Sequence, residues 1–134
     1  MSETKIKIHA QAIGRRKTAL ASARLISGSG QITVNGKPAS QYFPGPSAAA
    51  RLSLPFSTLS LTKYDASVIV HGGGLNGQLD ATVLAISKAL VSIKSDFKPL
   101  LRAQGLVTRD SRIRQRRMIG TGGKSRRKKQ SPKR

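Results

Sequence analysis

Residues Ser111 to Arg134 constrain this chain more than any other stretch. They hold Arg112, Arg114, Arg116, Arg117, Lys124, Arg126, Arg127, Lys128, Lys129, Lys133 and Arg134, which is 11 cations in 24 residues with no acid. The only apolar side chains of any size there are Ile113, Met118 and Ile119. That is too little buried surface to offset the entropy of ordering. Such a stretch cannot build a core of its own. It is expected to become ordered only against a dense array of negative charge, and a phosphate backbone is the commonest such array. Whatever folds must lie in the residues before it, as a small body that carries a basic arm.

The charge distribution supports this division. Over its 134 residues the chain has 25 Lys and Arg against 5 Asp and Glu, a formal net charge of +20. Residues 1 to 101 carry 12 cations and 4 acids, and residues 102 to 134 carry 13 cations and 1 acid. The boundary is therefore placed at Gly105, giving a globular body over 1–105 and an extended basic arm over 106–134. So large a charge attracts polyanions. A membrane surface is the other candidate polyanion, but no apolar run approaches a spanning helix, and the tail lacks the aromatic face of an interfacial one. There is no cysteine, which excludes disulfides and thiolate metal sites. The start, Met1-Ser2-Glu3-Thr4-Lys5, looks like neither a signal segment nor an Arg-rich transit peptide, so a cytoplasmic site of action is expected.

Within the body, Ile6, Ile8, Ala10 and Ala12 alternate with polar residues and predict a half-buried strand. Gly14-Arg15-Arg16-Lys17-Thr18 is read as interrupting it. Ala19, Ala21, Ala23 and Leu25 share one face of a second strand. Gly28-Ser29-Gly30 predicts a turn into a third, short strand from Gln31 to Val34, completing an antiparallel meander. Asn35-Gly36 closes it, and Pro38 argues against a further hairpin strand.

Pro38 to Phe43 predicts one helical turn, and Ser47 caps a short helix from Ala48 to Leu54 that Pro55 ends. Ala66 to Val70, the most apolar run, predicts a central buried strand. A long helix follows from Gln78 to Lys94, with a core stripe of Leu79, Val83, Ile86, Leu90 and Ile93. Ser95 caps a second helix through Leu101, and Gly105 is a natural stop. This order gives an α+β fold of two layers.

Gly72-x-Gly74-x-x-Gly77, between a strand and a helix, fits the dinucleotide fingerprint. The second parallel strand that such a unit needs is missing, because Phe97-Lys98-Pro99-Leu100-Leu101 is not a strand. Gly72, Gly73, Gly74 and Gly77 are therefore read as a structural turn, compatible with backbone N–H groups holding a phosphate at the helix start. His9 and His71 have no acid or cysteine at ligand spacing, so neither a metal nor a cofactor is expected. No paired carboxylates or nucleophile arrangement suggests catalysis. Tyr42 and Phe43 are read as core residues in preference to base-stacking ones. Arg15, Arg16 and Lys17, three adjacent cations at a hairpin, are read as phosphate contacts.

Taken in order, Gly14-Arg15-Arg16-Lys17-Thr18-Ala19, Ala23-Arg24-Leu25, Val34-Asn35-Gly36-Lys37-Pro38, Tyr42-Phe43, Gly72-Gly73-Gly74, Gly77-Gln78, Gly105-Leu106-x-Thr108-Arg109-Asp110-x-Arg112 and the closing Lys133-Arg134 resemble the bacterial-type family of small-subunit ribosomal protein nine. The resemblance implies a fold like the second domain of ribosomal protein five, with a four-stranded sheet and helices on one side. It implies binding to small-subunit ribosomal RNA in the subunit head, beside neighbouring head proteins. Arg109 then joins the RNA-binding cations of the hairpin and the arm. It further implies that Lys133 and Arg134 reach peptidyl-site transfer RNA. This chain departs from the usual family ending: it reads Gln130-Ser131-Pro132-Lys133-Arg134, with a proline and no aromatic residue. Two classes of function remain open here: a structural RNA-binding protein of the ribosome, and a free-standing nucleic-acid chaperone using the same arm. Neither needs a small-molecule substrate.

Overall fold

The computed structural model describes residues 7–117 and 119–120. Five strands, β1 (Ile8–Arg16), β2 (Ala19–Ser27), β3 (Ile32–Val34), β4 (Lys37–Pro38) and β5 (Tyr64–His71), form one sheet in the order β1-β2-β5-β3-β4. Helices α1 (Ala39–Tyr42), α2 (Pro46–Leu59), α3 (Leu75–Ile93) and α4 (Phe97–Ala103) complete the body. The expected α+β class holds. The expected four-stranded sheet does not, because Lys37 and Pro38 pair with Val34 and Thr33 to add a short fifth strand. Pro38 is tolerated there because the strand lies at the sheet edge.

The first three strands are not a simple meander. β5 takes the place beside β2, pairing antiparallel over eight positions from Leu20↔His71 to Ser27↔Tyr64. β3 lies on the other side of β5 and runs parallel to it. Asp65 directs this path. Its Oδ1 accepts the backbone N–H groups of Gly30 and Gln31, both at 2.8 Å, so the chain leaving β2 is held across the end of β5. A strand of eight residues with Ala66, Val68 and Val70 buried displaces one of three residues from the central position. The Asn35 side chain then extends the parallel pairing, accepting from Val70 N–H at 2.9 Å and donating to Val70 O at 3.0 Å.

β1 does not stop at Ala12 but continues through Gly14 to Arg16. Gly14 allows this because α3 lies directly on it: a Cβ there would sit 2.1 Å from Ala81 O and 2.6 Å from Ala85 N. Ala21, Ala23, Ala81, Ala85 and Ala89 are all fully buried, so small residues line the contact between α3 and the sheet. The larger stripe of α3, with Ile86 and Leu90 fully buried, completes the core that α2 and α4 cover.

α2 begins earlier and ends later than expected. Gly45 precedes it, Pro46 occupies its first turn, and Pro55 lies inside it. Leu52, Pro55 and Phe56 form its buried stripe, and this packing outweighs the one backbone hydrogen bond that Pro55 removes. α4 ends where Gly105 N–H donates to Arg102 O at 3.0 Å and Leu106 N–H to Leu101 O at 3.0 Å. Leu101 and Leu106 are both buried, half-buried Val107 packs against the same core, and no described residue after Leu106 is fully buried. Among the described residues, no helix is long and apolar enough to cross a membrane.

Candidate nucleic-acid interface

Strand parity separates the cations of the β1–β2 hairpin. Ala10 and Gly14 are buried beneath α3, Ala12 is half-buried, and Arg16 continues the same face. Arg15 continues the opposite, exposed face with Gln11 and Ile13. Lys17 sits in the turn with φ 55°, exposed. Thus Arg15 and Lys17 face outward, whereas the Arg16 side chain is only 14% exposed.

Arg16 is held by carboxylates of the protein itself. Its Nε lies 3.5 Å from Asp80 Oδ2 in α3, and its Nη1 lies 3.1 Å from Asp110 Oδ1 in the segment after α4. Nη1 also donates to the backbone oxygen of Arg112 at 3.0 Å. Asp80 is shared with Arg51 of α2. Asp110 in turn accepts from Arg112, whose Nη2 approaches Oδ2 at 2.7 Å and whose backbone N–H approaches Oδ1 at 3.0 Å. These contacts hold the Asp110 carboxyl well below the usual carboxylate range, the Arg112 side chain first and its backbone N–H second. Arg15, Arg16, Arg51, Asp80, Asp110 and Arg112 border a cleft of about 350 Å³ between body and arm.

The glycine turn forms the other wall of the hairpin. Arg16, Lys17 and Thr18 share a groove of about 540 Å³ with Gly73, Gly74 and Gly77. Gly72 and Gly73 have φ 78° and 64°, and a Cβ on Gly72 would meet Thr18 O at 2.6 Å. Gly72 and Gly73 therefore need glycine for the backbone shape and for the close approach to the hairpin, whereas a Cβ on Gly74 would meet nothing within 4 Å. Gln78 braces it, donating to Gly72 O at 3.1 Å and accepting from Tyr42 Oη at 2.8 Å. Tyr42 stacks edge-on against buried Phe43, so these aromatics serve packing.

Arg109, Arg112, Arg114, Arg116 and Arg117 are exposed. Of these only Arg112 makes an ion pair among the described residues. Lys124, Arg126, Arg127, Lys128, Lys129, Lys133 and Arg134 lie outside the described residues. The hairpin and the first part of the arm are thus brought together. Sequence reasoning missed Arg51, Asp80 and Asp110 as partners at this junction. Strand parity pointing Arg16 inward, together with the scarcity of acids, was the available signal. His9 bonds Ser27 Oγ at 2.6 Å, and no group of His, Cys, Asp or Glu suited to a metal occurs among the described residues.

Comparison with known proteins places this geometry. Residues 14–134 match the family described as ribosomal protein S9/S16. The small ribosomal subunit protein uS9 of Mesoplasma florum is 43% identical over 118 residues, covering 87% of this chain and 90% of that protein. The uS9 protein of Crocosphaera subtropica is 42% identical over 121 residues, covering 89% and 88%. That of Porphyromonas gingivalis (strain ATCC 33277) is 44% identical over 110 residues, covering 81% and 86%. The matched span takes in both the hairpin cations and the whole basic arm, and the chain belongs to the ribosomal protein S9/S16 family.

Proposed function

We propose that this protein is a structural constituent of the small ribosomal subunit, a protein of translation and not an enzyme. It binds ribosomal RNA in the subunit head through Arg15 and Lys17 of the hairpin and through the arm from Arg109 onward. The observation that carries this reading is the family match over residues 14–134, which includes the basic stretch from Ser111 to Arg134. The relatives it matches are named as small-subunit proteins. The exposed cations fit the role, since phosphate contacts need guanidinium and ammonium groups open to solvent. The groove between Lys17 and the start of α3 suits a phosphate of the same RNA.

The division into a body over 1–105 and an arm over 106–134, the likeness to the second domain of ribosomal protein five, and neighbouring head proteins as partners belong to the same proposal. So does contact of Lys133 and Arg134 with peptidyl-site transfer RNA. Lys133 and Arg134 are separated in sequence from the block at Arg126 to Lys129 by Gln130-Ser131-Pro132. Their deletion should leave subunit assembly intact and weaken transfer-RNA retention by about 1–2 kcal/mol, the scale of one or two charge-assisted contacts.

The test is a sedimentation profile of cell lysate probed for this protein. Travel with small subunits, with little free pool, supports the proposal. A dominant free pool bound to mixed nucleic acids supports a nucleic-acid chaperone instead.

A further inference from the structure

The charged groups at the junction form an alternating series: Arg51, Asp80, Arg16, Asp110, Arg112. The series links four parts of the molecule, from α2 to α3, to the end of β1, and to the segment after α4 that holds both Asp110 and Arg112. Two of the chain's 5 acids stand in this one series. Arg16 is its centre, mostly buried, with a carboxylate on either side and the backbone oxygen of Arg112 on its Nη1.

We propose that Arg16, Asp80 and Asp110 are positioning residues that fix the direction in which the arm leaves the body. This rests on the reading of the arm as an RNA-binding element. The physical need is plain. Arg112 borders the same cleft as Arg15, Arg16 and Arg51, and cations of one sign repel. Without the two carboxylates the arm's root would swing away from the hairpin. An isolated exposed ion pair holds a segment weakly, but linked pairs around a half-buried guanidinium with a backbone acceptor define one geometry. A root held in that geometry presents hairpin and arm to RNA together, which reduces the ordering needed on binding and raises the arm's effective concentration at its site. Within the adjacent cations, Arg16 thus serves the arm while Arg15 and Lys17 serve the RNA.

Asp110→Asn separates this role from bulk electrostatics, because the two make opposite predictions. The substitution removes a negative charge from a chain already at a formal +20, so charge alone tightens RNA binding. Loss of positioning weakens it, here by about three- to tenfold. The experiment uses the full-length chain and a transcript of the small-subunit head RNA at fixed salt. In parallel, spin labels are placed on Ser57→Cys in α2 and Gln115→Cys in the arm, both exposed sites in a chain with no cysteine of its own. The parent should give a narrow distance distribution in the absence of RNA, Asp110→Asn a broad one, and Asp110→Glu should recover much of the difference. Asp110 lies beyond Leu106, the last buried core residue described, so the body of Asp110→Asn should still melt cooperatively, at a slightly lower temperature. An unchanged distribution, or RNA binding that tightens in Asp110→Asn, overturns the proposal. Failure of the parent to bind the RNA would instead count against the RNA reading, and the label distances would still decide the positioning role.

Discussion

Gly73 has φ 64° and its absent Cβ would stand 3.1 Å from both Ala19 Cβ and Ala19 N. A β-branched side chain there is strained by its backbone and crowded by the hairpin. Gly73→Val should destabilise the protein by about 2–3 kcal/mol, measured by chemical denaturation. A loss under about 0.5 kcal/mol would show that the turn can relax.

Asp110 makes a prediction in pH. Its folded carboxyl titrates well below the ordinary value because Arg112 donates to it. A depressed carboxylate contributes its stabilisation above the unfolded value of about 3.9 and loses it as pH falls through the folded value. The root of the arm should therefore keep its contacts from neutral pH down past the ordinary carboxylate range. Carboxyl chemical shifts of Asp110 against pH test this, and Arg112→Ala should move the midpoint upward; equal midpoints would contradict the contact. The role of Arg16 was legible at this scale and was passed over. Ala10, Ala12, Gly14 and Arg16 share one strand face, and a side chain that continues a buried face meets protein before it meets a ligand.

The elements themselves followed from local pattern wherever that pattern was long. The stripe of Leu79, Val83, Ile86 and Leu90 placed α3, and Ala66 to Val70 placed the central strand. Strand order was not legible. It depends on Asp65 capturing Gly30 and Gln31, residues more than thirty positions away in sequence, and periodicity carries no information about such pairing. The end of α2 was misplaced for a related reason: Pro55 breaks a helix in isolation but is retained when Leu52 and Phe56 anchor both sides of it. The close seat of α3 on the sheet depends on Gly14. Gly14→Ala puts a methyl group 2.1 Å from Ala81 O, which neither backbone can avoid without moving. The expected loss is about 3 kcal/mol in unfolding free energy. A change below about 1 kcal/mol would mean that α3 is not held at that distance.

At the scale of the whole molecule, the proposed division between a folded body and a basic arm rests on composition alone. Body and arm differ in what can stabilise them: apolar burial for one, counter-charge for the other. The most direct measurement is the salt dependence of affinity for small-subunit head RNA, comparing the full chain with one truncated after Thr108, which keeps the buried Leu106 and the half-buried Val107. With roughly 8–12 phosphate contacts across hairpin and arm, log affinity should fall with log salt at a slope of several units. Truncation should remove most of that slope while leaving the body folded. A slope near one for the full chain, or a slope unchanged by truncation, would contradict RNA binding through the arm.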